Sequence, residues 1–355
     1  MSLALIREGR ELADEALAKI LPFAPIAKAG GPPPDPLTPS GFDRVVLALI
    51  GKLRRVVAGP EKAALDSFLS ILDGPSWPDM VPANRSKLIA YGAKKYLDLA
   101  EDAAPAVGQL LLGAGKTIGL DTKRAANEHH DLRVDAHLSA IDQTVLEASA
   151  KHTALYVRDQ YGRRRQAISG QARVIVASGL EQGYDRYEIG KMLRAQITDA
   201  EFKRSDAYFR MIADVFASRA RNYASLSSYS DAGIEAYEIV AVMDEVTTDL
   251  CRFLDGKVFS TGAALDRYVQ VAASADPEVV TELQPWGATR KDADGNPGLY
   301  VGKGEGAQLI ASIQSTGIGS QDAGAYAQHL DDGALQARGL TAPPFHAHCR
   351  TTTVP

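Results

Sequence analysis

The chain has 355 residues, 45% of them hydrophobic, with a formal net charge of −5 and two cysteines. That length supports one large or two ordinary domains with real cores. The acidic balance argues against a protein that coats nucleic acid through bulk charge, and two distant cysteines exclude a disulfide-dense scaffold. The longest apolar runs are short, Val45–Ile50 for example, and none reaches the ~18 residues of a membrane span. The first ten residues lack the charged-then-apolar order of a signal peptide, so a soluble cytoplasmic protein is expected.

In chain order, Leu3, Ile6, Ala13, Ala16, Leu17 and Ile20 fall at helical spacing and predict an amphipathic helix over 3–21. The Pro/Gly-rich run 30–36 is a stiff linker. Ser40 is positioned to cap a helix to about Val57, and Pro60 to open another that Gly74 stops. A turn-rich loop over 75–82 precedes helices over 84–98 and 101–113. Next comes a helix over 136–158, a junction carrying Arg163, Arg164 and Arg165, and a helix over 168–180. Asp185 with Glu188, and Thr198 with Glu201, read as two capping pairs opening separate helices, and Gly233 ends this region. His129 and His130 read as an exposed pair, and His137 and His152 fall on or beside helix faces.

The texture changes at Glu235–Met243, where Tyr237, Ile239, Ala241 and Met243 alternate as in a strand. Lys257–Phe259 is its short return and Asp255–Gly256 the turn between. Residues 260–330 are glycine-rich and read as loop. Asp292-x-Asp294-Gly295-Asn296 lacks the later glutamate of a calcium loop and reads as a turn. The expected architecture is mainly α with a small α+β C-terminal domain, long amphipathic helices leading into a β-hairpin closed by the C-terminal tail. Three regions follow: 1–130 helical, with the linker at 30–36; 131–234 a helical body; 235–355 a motif domain.

Chemistry concentrates in that last region. Each half of a split element, Asp244–Phe259 and Pro343–Thr352, holds one cysteine. His346-x-x-Cys349 with a distant Cys251 preceded by Asp244 supplies the residue types of a divalent metal site, and thiolate with imidazole suits zinc. The candidate ligands are Cys251, His346, Cys349 and a fourth from Asp244 or His348. The alternative is a metal-free polar cluster in which Arg350 pairs with Asp244 or Asp255.

The pattern Asp-x-x-Thr…Cys-x-x-Leu-Asp-Gly-x-x-Phe, closed by Pro-x-His-x-x-Cys-Arg, resembles the head morphogenesis domain of tailed bacteriophages, the Mu gpF-like or MuF family. The resemblance covers roughly 235–355; residues 1–130 carry none. It matches Asp244, Thr247 or Thr248, Cys251, Leu254, Asp255, Gly256, Pro344, His346, Cys349 and Arg350. Many relatives carry His at the position of Cys251, a swap that a ligand position tolerates. Where the family often continues Cys-Arg-Cys, this chain has Thr351.

The resemblance implies a non-enzymatic minor capsid protein of a phage or prophage, located in the virion head or at the portal vertex. Its implied partners are the portal protein and, second, scaffold or major capsid protein, with a role in procapsid assembly, genome packaging or genome delivery in a bacterial host. Two other classes stay open. One is an ejected internal protein with Arg163, Arg164 and Arg165 on DNA phosphates. The other is an enzyme or toxin using Cys349 beside His346; the signatures of zinc deaminases and of His-Glu-x-x-His proteases are absent.

Overall fold

The computed structural model describes residues 34–302 and 306–355, so the expected helix over 3–21 lies outside the described residues. Five helices make up the first two thirds of the fold: α1 (Pro39–Asp73), α2 (Pro82–Ala100), α3 (Ala103–His130), α4 (Ala140–Glu181) and α5 (Arg186–Asp231). Each buries an apolar stripe at spacings of three and four, as in the α1 series Val46, Leu49, Ile50, Leu53 and Val57. The helices pack on one another across the whole set, on both sides of the 131–139 connection.

Three expected helix breaks are absent. α1 runs through Pro60, its cap being the Thr38 hydroxyl rather than Ser40. α4 runs through Arg163–Arg165, opened by a capping box of Ser139 and Asp142. α5 starts at the expected Asp185–Glu188 box and continues past Thr198–Glu201. The local signals at these junctions lose to burial on one continuous face: Val57, Ala64 and Phe68 span Pro60, and Leu193, Ile197 and Phe209 span the false box. Glu201 instead accepts a hydrogen bond from the Tyr96 hydroxyl at 3.2 Å.

Gly233, at φ +74°, turns the chain out of α5. A three-stranded antiparallel sheet follows, in the order β2 (Val258–Ser260), β1 (Ala236–Val240), β7 (Thr352–Val354). The register pairs Tyr237 with Phe259 and Ile239 with Thr353, so the tail does return onto the strand. α6 (Asp249–Leu254) sits between β1 and β2, and α7 (Thr261–Ala273) and α8 (Pro277–Leu283) follow. The stretch expected to be loop instead carries an antiparallel sheet in the order β3 (Gly287–Lys291), β4 (Pro297–Val301), β5 (Gln308–Ser315), β6 (Ala325–Gln328), then α9 (Asp332–Ala337). Asp292–Asn296 is the β3–β4 turn: the Asp292 carboxylate accepts from the Asp294 and Asn296 amides, and Gly295 takes φ +86°.

The protein is thus mainly α with a small α+β C-terminal region. α7 joins the two by packing on α4 and α5, with the Tyr268 ring edge-on to Tyr223 at 5.2 Å. Buried Arg221 of α5 donates to the Thr351 carbonyl at 2.7 Å and the Arg350 carbonyl at 3.2 Å, stacked 3.8 Å from the Phe42 ring. The Tyr229 hydroxyl donates to the Thr353 carbonyl at 2.9 Å. No described helix is long and apolar enough to cross a membrane.

Candidate metal centre

The centre is assembled by capping and turn chemistry. Thr248 caps α6, its hydroxyl accepting from the Cys251 amide at 3.3 Å. That places Cys251 in the first turn of α6, facing inward at 3% exposure. The Asp255 carboxylate accepts from the Ala241 amide at 2.8 Å, and Gly256, at φ +75°, donates to the Ile239 carbonyl at 2.8 Å. These two residues therefore lock α6 onto β1. From the other end of the chain, Pro344 lies in a cis Pro343–Pro344 step just before Phe345, a fully buried anchor ahead of the ligand turn.

Cys251 Sγ lies 3.0 Å from His346 Nε2 and 3.7 Å from Cys349 Sγ. The Thr248 hydroxyl is 3.1 Å from His346 Nε2. The three ligand atoms lie within 4.8 Å of one another and can hold a metal ion. Tetrahedral zinc with bonds of about 2.3 Å to sulfur separates two thiolates by about 3.8 Å, which the sulfur–sulfur distance matches. The same geometry asks for about 3.5 Å between sulfur and nitrogen, so His346 needs to swing out by about half an ångström. His346 Nδ1 donates to the Ala347 carbonyl, which leaves Nε2 for the centre.

Charge is unevenly shared within the cluster. The bond from Cys251 to Cys349, then burial, then the charge on Cys349 push the Cys251 thiol well above its usual range. Burial alone would raise Cys349 too, but the bonds from Cys251 and His346 carry it well below. Burial opposes protonation of His346, yet its bond to Cys349 raises it. A thiolate in the Cys251–Cys349 pair, beside His346, is the species that ligates metal.

The other expected site residues sit elsewhere. Asp244 is not a ligand: it pairs with Arg350, and its other oxygen accepts from the Val246 amide at 3.1 Å and the Thr247 hydroxyl at 2.9 Å. Those bonds hold its carboxyl below the usual range against the opposing effect of burial. His348 pairs with Asp214 of α5 and takes φ +59°. The basic triplet does not present one exposed face. Arg164 is 2% exposed, bonded to Glu61 at 2.7 Å and set against the Tyr161, Tyr208 and Phe209 rings. Arg163 pairs with Asp159, and Arg165 is half-buried. Residues on one helix point in different directions at successive positions, so a triplet in sequence is not a patch in space. Of the histidines, His129 pairs with Asp35 at 2.7 Å and His152 meets the Ser274 carbonyl at 2.7 Å.

Arg252 was not singled out in the sequence, although it organises the centre's outer wall. Buried at 4% exposure, it donates to the carbonyls of Asp244 (2.6 Å), Asp322 (2.7 Å) and Gly319 (2.8 Å). It thereby ties the loop before β6 to the motif. That loop closes so tightly that a Cβ on Gly317 would meet the Asp322 carbonyl oxygen at 2.5 Å. The available signal was one charge inside the apolar run Leu250–Leu254.

The chain matches no protein-family model, no curated protein and no solved structure.

Proposed function

We propose that the chain is a minor capsid protein of a tailed phage or prophage, of the MuF type, whose C-terminal domain is closed by a structural zinc ion on Cys251, His346 and Cys349. What supports the reading is one convergence. The two segments that carry the family resemblance, nearly a hundred residues apart, meet in one three-ligand cluster. Thr248 meets His346 and Arg350 pairs with Asp244 across the two segments, while Asp255 and Gly256 hold α6 on β1.

In this reading the ion joins α6 to the tail and so holds β7 beside β1. Binding to deprotonated ligands contributes folding free energy directly. The role is assembly, with no reaction assigned: both thiols are nearly inaccessible, at 3% and 2% exposure. The partner is the portal protein, and scaffold or major capsid protein second. DNA binding through Arg163–Arg165 has little support, given the bonded guanidinium of Arg164.

Quantitative mass spectrometry of proheads and mature particles, with the portal as internal ruler, tests the proposal. A few copies per portal in proheads is the expected result. Absence from both particle types overturns it.

A further inference from the structure

A cleft of about 960 Å³ opens between the helical bundle and the C-terminal region, and none of its lining residues belongs to the Cys/His centre. That volume lies at the upper end of the range for small-molecule sites. Tyr208, Met211 and Ile212 of α5 form an apolar wall, faced by Trp286 from the α8–β3 turn.

The charges in the cleft are of two kinds. On the rim, Arg163 is already bonded to Asp159, and Arg338 is exposed, as are Glu278 and Glu282. Arg219 differs. It is half-buried, lines the cleft, and has no hydrogen bond or ion pair among the described residues. Burial draws it below the usual arginine range, and the Tyr268 and Tyr156 phenols only partly offset that effect. Its charge also helps to hold down neighbouring His152, after burial of that ring. A half-buried cation with no counter-charge among the described residues is costly, and Arg219 faces a space large enough for a ligand.

We propose that the cleft binds a small organic monoanion, a carboxylate on an apolar body, with its acid group on the Arg219 guanidinium and its body against Tyr208, Met211 and Trp286. Arginine meets a carboxylate through two parallel N–H donors. Repulsion from the exposed Glu278 and Glu282 on the rim grows with the charge of the ligand, so it disfavours a polyanion more than a monoanion.

The test uses the full chain and 1-anilinonaphthalene-8-sulfonate as a fluorescent monoanion, with decanoate, 4-phenylbutyrate and tripolyphosphate as competitors. The expected result is saturable binding displaced by decanoate or 4-phenylbutyrate but not by tripolyphosphate. Arg219→Gln weakens it at least about tenfold, the loss of a charge-assisted pair, and Arg219→Lys weakens it less. If Arg219→Gln does not fold, Met211→Glu, which places a negative charge in the wall, is expected to weaken binding of the probe at least about tenfold. Unchanged affinity in a folded Arg219→Gln or Met211→Glu chain, displacement by tripolyphosphate as strong as by decanoate, or no displacement by either carboxylate overturns the proposal.

Discussion

At the scale of the residue, buried charges divide into those that tie elements together and those that do not. Arg164 ties three helices. Glu61 of α1 accepts from Arg164 and Tyr161 of α4 and from Ser205 of α5, at 2.7, 2.9 and 2.6 Å. Removing one partner of such a network leaves the other charge buried, which costs about 3–5 kcal/mol. Glu61→Ala is therefore expected to shift the urea midpoint strongly downward. Replacing Arg163 and Arg165 together, both outside that network, is expected to change stability by about 0.5 kcal/mol or less and to leave any DNA retention unchanged. The candidate centre was legible because cysteine and histidine are rare in this chain and their spacing is diagnostic. Asp244 was legible only as one of two readings, a ligand or the partner of Arg350, and the structure gives it the second. Its Arg350 partner lies 106 positions away. How the basic triplet is arranged in space was not legible, since sequence adjacency carries no information about direction around a helix.

Among the elements, helix α1 makes the clearest prediction. Pro60 sits inside it and removes one backbone hydrogen bond. Pro60→Ala is expected to stabilise the protein by about 1–3 kcal/mol, since proline costs about 3 kcal/mol in a helix interior and the surrounding packing already accommodates its ring. A lower melting temperature would mean that the proline shapes the helix for its neighbours. The α3–α4–α5 seam carries a buried pair, Lys123 with Asp142 at 3.0 Å, and Asp142 also accepts from the Tyr223 hydroxyl at 2.8 Å. Burial acts to raise the Asp142 carboxyl, but the Ser139 amide, Lys123 and Tyr223 carry it below its ordinary value. A carboxyl lowered on folding contributes stability above its unfolded pKa of about 4, and that contribution is lost as pH falls through the folded value. Asp142→Asn is expected to cost about 3 kcal/mol at pH 7, with Asp231 still on Lys123 at 3.2 Å. The gap between the variant and the parent should narrow as the pH falls below about 4.

Helix identity was legible from periodicity throughout the described bundle, and the strand at Ala236–Val240 from its alternation. Helix length was not, because capping residues and proline act locally whereas burial acts along the whole face. The four-stranded sheet was missed because its register shifts between Leu299 and Tyr300 and between Ile313 and Ser315. Those bulges break the two-residue alternation that would have revealed strands.

At the scale of the whole molecule, the C-terminal tail is where bundle, sheet and candidate centre meet. Arg221 and Tyr229 donate to carbonyls of residues 350–353, β7 pairs with β1, and Cys349 completes the cluster. Removing 349–355 is thus expected to destabilise the α5–tail seam as well as the small sheet. Hydrogen exchange should then rise at Ala236–Val240 and along the second half of α5 together. A rise confined to the sheet would show that the bundle is indifferent to the tail.

The central claim is that an ion closes this domain, and metal analysis of the purified full-length protein tests it most directly. The account expects close to one zinc per chain, lost in Cys349→Ser and His346→Ala and kept in Cys251→His. Chelation should lower the melting temperature by about 5 °C, the scale set by a site filled well above its Kd. A folded protein with no zinc as purified, no uptake when zinc is supplied, and the same melting temperature in Cys349→Ser would contradict it. The cluster would then be a hydrogen-bonded group of Cys251, His346 and Cys349 that holds the tail without metal.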